Sequence, residues 1–134
     1  MRVYLEHPGY LWARESLYAY LMKKSRLIFI NNNDNKQLEI TKEYTNKFTF
    51  GKTNSNVNYS VNTINPQISI SIEDVTIESP LFGEYNVENL AAAICIGKYF
   101  NMSNTLIKEG VENCIPNSNR SQIIEKGSNK IILD

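Results

Sequence analysis

Leu81-Phe82-Gly83-Glu84-Tyr85-Asn86-Val87-Glu88-Asn89-Leu90-Ala91-Ala92-Ala93 is the stretch on which the reading of this chain turns. It joins a polar helix start to an alanine run, and the spacing predicts a helix over 86–100. Asn86 is the expected N-cap, worth on the order of 1 kcal/mol, and Asn89 follows one turn later on the same face. Capping requires only one of these amides. Two on one face offer both a donor and an acceptor to a purine edge, a pairing that suits an adenine amino group and its neighbouring ring nitrogen. The alanines let the helix approach its neighbours closely.

Upstream, Leu11, Leu17, Tyr18, Leu21 and Met22 fall at helical spacing, and Lys23, Lys24 and Arg26 suit a helix C-terminus. The apolar run Leu27-Ile28-Phe29-Ile30 stops at Asn31-Asn32-Asn33-Asp34-Asn35 and reads as a buried strand. A short helix is expected over 37–44 and a second strand over 47–50, closed by Gly51. Helix, strand, helix, strand is the arithmetic of a parallel α/β sheet. The period then changes to two. Val57, Tyr59 and Val61 alternate with polar residues, Asn65-Pro66 turns the chain, and Ile68, Ile70, Ile72, Val75 and Ile77 continue the alternation. Three antiparallel strands with one wet face are expected.

Downstream, a helix over 103–114 carries Leu106, Ile107, Gly110 and Val111 on one side. Pro116 to Asn119 forms a polar connector, and the tail reads as a hairpin around Gly127-Ser128-Asn129. Ile131-Ile132-Leu133-Asp134 looks like the first core strand of another α/β unit, reaching the C-terminal end where open sheets place ligands. Both ends read as cuts through a larger enzyme.

Fourteen basic residues balance fourteen acidic ones among 134, so no net field favours nucleic acid or an anionic membrane. An apolar fraction of 42% with 21% charged residues is ordinary for a globular protein. No apolar run approaches the roughly 20 residues of a membrane helix, and no signal-peptide pattern opens the chain; a cytoplasmic location is expected. Cys95 and Cys114 lack a CxxC partner and read as two buried, reduced thiols. Gly51-Lys52-Thr53 imitates the end of a phosphate loop, but the pattern needs a glycine where Asn46 stands, and no helix is expected after it. Lys52 is therefore read as a loop lysine.

The order Gly83-x-Tyr85-Asn86-x-x-Asn89-x-Ala91-Ala92, a helix ending near Gly110, Pro116, Asn119-Arg120-Ser121-Gln122 and a strand ending in Asp134 resembles the Mur ligase family of peptidoglycan synthesis. The resemblance runs from about Leu17 to Asp134 and includes Ile28-Phe29-Ile30-Asn31 and Phe48-Thr49-Phe50-Gly51. It is strongest to members that join D-alanyl-D-alanine to a UDP-N-acetylmuramoyl tripeptide.

The resemblance implies an α/β fold with parallel strands, helices and a small antiparallel three-stranded sheet. Residues 1–116 would form the C-terminal part of the central ATP-binding domain. Residues 117–134 would form the hinge and first strands of a truncated C-terminal ligase domain. It further implies an ATP- and magnesium-dependent amide-bond ligase working through an acyl phosphate, with this chain inactive alone. Asn86 and Asn89 would lie at the adenine, Arg120 would reach the phosphates, and Asp134 would bind the ribose hydroxyls. Each role is chemically sensible, since a guanidinium forks onto phosphate oxygens and a carboxylate accepts from adjacent hydroxyls. A solvated linker arginine and a strand-end carboxylate are the plainer readings of the last two.

The departures lie upstream. The family's own phosphate loop is not in this chain. Its magnesium-binding histidine would fall near Tyr4-Leu5-Glu6, where phenol is a poor magnesium ligand. Its carbamylated lysine would fall on Arg14, and arginine cannot replace it. His7 reads as a surface residue, and the magnesium ligands are expected mostly outside the chain. Tyr4 and Arg14 favour a degenerate, non-catalytic remnant or interaction module of the same fold. A ligase of the folylpolyglutamate synthetase kind shares the general architecture, and the Asn-Arg-Ser-Gln junction argues against it.

Overall fold

A computed structural model describes residues 8–115 and 122–133. Helix α1 (Pro8–Lys23) leads into strand β1 (Ile28–Asn31), helix α2 (Asn35–Ile40) and strand β2 (Lys47–Gly51). Strands β3 (Val57–Thr63), β4 (Ser69–Ile72) and β5 (Val75–Glu78) follow, then helices α3 (Glu84–Tyr99) and α4 (Asn104–Glu112). A hairpin of β6 (Gln122–Lys126) and β7 (Asn129–Leu133) ends the described chain. Its two-residue loop begins at Gly127, whose φ of +64° suits a hairpin turn of the II′ kind.

The order helix, strand, helix, strand holds as the periodicity predicted. Helix α2 starts two residues earlier than expected because Asp34 caps it, its carboxylate accepting from the backbone N–H of Lys36 at 3.0 Å and Gln37 at 3.3 Å. It stops at Thr41, which is buried and whose hydroxyl donates back to the Gln37 carbonyl at 2.7 Å.

The parallel and antiparallel strands form one five-stranded sheet in the order β1-β2-β3-β4-β5. Strand β3 pairs in parallel with β2 only at Phe50↔Val57 and Gly51↔Asn58, then continues past it to pair antiparallel with β4. The expected three-stranded antiparallel unit is therefore the continuation of the parallel part. Alternation decides which side chains turn inward. Phe50, Val57, Tyr59, Ile70, Ile72 and Ile77 pack with Val87, Leu90, Ala91, Ile94 and Cys95 of α3 and with Ile107 of α4. Ile70 and Ile77 are fully enclosed, and each such side chain stabilises the fold by roughly 1.5–3 kcal/mol. On β1, Ile28 and Ile30 are buried on the other face, beside which α2 packs.

The outer face of β3–β5 is wet, as the pattern predicted. Asn62 donates to the hydroxyls of Ser69 at 3.2 Å and Ser71 at 2.8 Å, and Ser69 donates to Glu78 at 2.7 Å. These bonds run across three strands and satisfy polar groups that the core could not.

Three expectations need correction. Cys114 is exposed; only Cys95 is buried, and both thiols are free. The helix α4 ends at Glu112, two residues before Cys114, so that thiol lies past the packed turn. Leu106 is 54% exposed and nothing approaches the position a Cβ on Gly110 would take, so Ile107, with Val111 partly buried, carries the inward face of α4. The third concerns Asn86.

Candidate functional site

Strands β1, β2, β3 and β5 run in one direction, β4 alone being reversed. The chain leaves β5 and enters α3 at the carboxyl end of the sheet, and α3 then runs back across β3, β2 and β1 until Tyr99 meets Phe29 and Phe48 edge-on. This brings the first turns of α3 to the end of the sheet where open α/β folds bind ligands.

Gly83, not Asn86, is the N-cap of α3, with φ +88° and ψ 140°, and no side chain caps it. Glycine reaches that positive φ freely. A capping side chain must accept from the second or third helical N–H, and Asn86 is itself the third residue, its own N–H bonded to the Gly83 carbonyl at 3.0 Å. The Asn86 side chain is instead buried, 7% exposed, and its Nδ2 donates back to the Phe82 carbonyl at 2.8 Å. Its Oδ1 accepts from Asn89 Nδ2 at 3.3 Å. The two amides are brought together as the sequence suggested, but they are unequal: Asn86 is built into the helix start, whereas Asn89 is exposed.

A second polar group lies nearby and was not singled out in the sequence. Tyr59, directed inward by the β3 alternation, accepts at its hydroxyl from Asn33 Nδ2 at 3.0 Å. Burial raises the Tyr59 pKa, the Asn33 bond offsets part of this, and the negative charge of Glu88 raises it further. Asn33 also accepts from the Lys52 backbone N–H at 3.2 Å. The loop after β1, the loop after β2 and the second turn of α3 thus meet around one phenol. The signal was present, because an inward tyrosine in an apolar strand needs a partner for its hydroxyl.

Gly51 serves this packing. A Cβ there would come within 2.7 Å of Ser55 Oγ and 3.0 Å of Asn32 Cβ. Residues 52–56 form bends leading into β3 with no helix, so the arrangement is not that of a phosphate loop. Arg120, Asp134, Tyr4 and His7 lie outside the described residues, as does the side chain of Arg14. Among the described residues no three His, Cys, Asp or Glu side chains converge as metal ligands, and no helix is long and apolar enough to cross a membrane. A shallow hollow lined by Met22, Glu39, Ile40 and Tyr44 lies away from α3.

A parallel sheet thus carries an antiparallel extension, and a glycine-capped helix presents Asn-x-x-Asn at the carboxyl end of that sheet. The chain belongs to the Mur ligase family: the model for the Mur ligase middle domain matches residues 5–97. No curated protein matches it. Among solved structures it is similar to a crystal structure of MurF from Acinetobacter baumannii, with a TM-score of 0.68 and 20% identity over 82% of this chain. It is similar also to the UDP-N-acetylmuramoylalanyl-D-glutamyl-2,6-diaminopimelate--D-alanyl-D-alanyl ligase of the same organism, at TM-score 0.68 and 19% identity over 81%. The chain spans 26% of the length of either protein. At such identity the likeness concerns the fold.

Proposed function

We propose that this chain supplies the nucleoside side of the ATP site, and the hinge beyond it, in a ligase that adds D-alanyl-D-alanine to a UDP-N-acetylmuramoyl tripeptide. Residues 1–116 belong to the central ATP-binding domain and 117–134 to the hinge and first strands of the next. In that reaction ATP phosphorylates the peptide carboxylate, releasing ADP, and the amine attacks the acyl phosphate to form the amide and release phosphate. The chain contributes positioning, and alone it does not turn over.

The observation that carries the reading is the inequality of the two amides. Asn86, buried, directs one N–H of its amide to Phe82 and its oxygen to Asn89, which makes it a positioning residue. Asn89, oriented by that bond and exposed, keeps its own carbonyl oxygen for an adenine amino group. Arg120 at the phosphates and Asp134 at the ribose extend the site by family resemblance. Magnesium would be held mostly by residues outside this chain.

The test is nucleotide titration of the chain followed by amide NMR. Shifts at residues 86–89 with ATP, absent with GTP and lost in Asn89→Ala, are expected. No ATP response in the folded chain with the family's upstream phosphate-loop segment supplied overturns the reading and favours a remnant that kept the fold and lost the site.

A further inference from the structure

The outer strand β5 is closed by side chains of α4. The register Ile72↔Val75, Ile70↔Ile77 with a two-residue turn makes these the pairs that exchange backbone hydrogen bonds. Thr76 and Glu78, between and beyond them, therefore turn their own N–H and C=O groups outward, where a further strand would add. Two of these groups are already taken. Lys108 Nζ donates to the Thr76 carbonyl at 2.6 Å, and Glu112 Oε1 accepts from the Glu78 N–H at 2.9 Å. Lys108 and Glu112 are one helical turn apart and hold each other at 2.7 Å. The pair is matched to the edge in polarity: the donor sits over a carbonyl and the acceptor over an N–H, at a spacing of two strand residues.

Edge strands present unpaired groups that recruit other strands. We propose that Lys108 and Glu112 form a guard over β5 that keeps a second copy of this chain from adding its own β5 there. An ion pair present only to support α4 would work at least as well with the charges exchanged, because glutamate four residues before lysine is the better order on a helix. The guard works in one polarity alone, and this distinguishes the two roles.

The experiment compares the 134-residue chain with the charge swap Lys108→Glu plus Glu112→Lys, which keeps the ion pair but puts an acceptor over the carbonyl and a donor over the N–H. Glu78 amide exchange is expected to accelerate about tenfold, the scale of one charge-assisted hydrogen bond, and sedimentation to show a concentration-dependent dimer. Unchanged exchange overturns the proposal, and so does faster exchange in a chain that remains monomeric. If the swap loses its helical circular dichroism, Glu112→Gln and Glu112→Met decide. The glutamine retains an acceptor and is expected to stay monomeric with slow Glu78 exchange, whereas the methionine is expected to exchange faster and dimerise. Identical behaviour of the two rules the guard out.

Discussion

The Asn86 side chain donates to the Phe82 carbonyl from inside α3, four residues back along the chain, in a buried setting. A side-chain amide has replaced the missing helical donor for a carbonyl that precedes the helix. Asn86→Ala removes that donor and leaves the oxygen buried without it, so a loss of about 1–3 kcal/mol in urea unfolding is expected. Asn86→Asp sets a carboxylate against the carbonyl and is expected to lose more at neutral pH. Asn89→Ala, on the exposed side, is expected to stay within about 0.5 kcal/mol of the parent. Equal losses at the two positions would contradict the division of roles between them.

Gly83 bears a double constraint. Its φ is +88°, and a Cβ there would sit 2.9 Å from Tyr85 Cε1. Gly83→Ala is expected to cost about 1–3 kcal/mol through backbone strain, read as a lowered Tm. Adding Tyr85→Ala removes the contact but not the φ, so only part of the loss should return. Complete recovery would show that the ring, not the backbone, demands glycine.

Glu73, in the β4–β5 turn, is held below the ordinary carboxylate range chiefly by its hydrogen bond from Lys98, then by that from Asn104. A carboxylate whose folded pKa is depressed adds stability above its unfolded value, and that stability is lost as pH falls through the folded one. Below the ordinary glutamate value of 4.5 the chain is expected to lose stability. Glu112, lowered by the Glu78 N–H and then by Lys108, contributes in the same window. Glu73→Gln should flatten the profile partly. A variant whose acid unfolding curve superimposes on that of the parent would exclude Glu73 as a contributor.

The two thiols should separate cleanly. Burial pushes Cys95 up to about 11, and the thiolate is the reactive form, while Cys114 is exposed. In the native chain at pH 8, an aromatic disulfide reagent is expected to release one equivalent within minutes, all from Cys114, and the second only with urea. Rapid release of both without denaturant would place Cys95 nearer solvent than its packing against α3's neighbours allows.

How far the sequence carried the reading follows from the kind of signal each element bears. Strong periodicity in 57–77 located all three antiparallel strands and their wet face, since alternation is imposed by the sheet itself. Pairing between distant segments leaves no local trace, and the fusion of β3 to β2 through two residues was invisible. Asn86 looked like a cap because asparagine favours caps; Gly83 held the position by backbone conformation, which a propensity for side-chain bonding does not register. Cys114 was assigned to a core by extending α4 too far. The spacing of Asn86 and Asn89 placed both amides on one turn of α3, and their unequal burial follows from where the fold puts Phe82.

The polar lattice of Asn62, Ser69 and Ser71, with Ser69 buried beneath its neighbours, gives this half of the sheet a practical use. Ser60, exposed on β3 between the inward Val57–Tyr59 and Val61 positions, belongs to that same surface. A fluorophore attached there, through Ser60→Cys in a Cys114→Ser background, would ride on the strand that carries Tyr59 while touching none of its partners. It would report what happens at the carboxyl end of the sheet from the opposite side, giving an optical test of the proposed nucleotide site that leaves the amides themselves unlabelled.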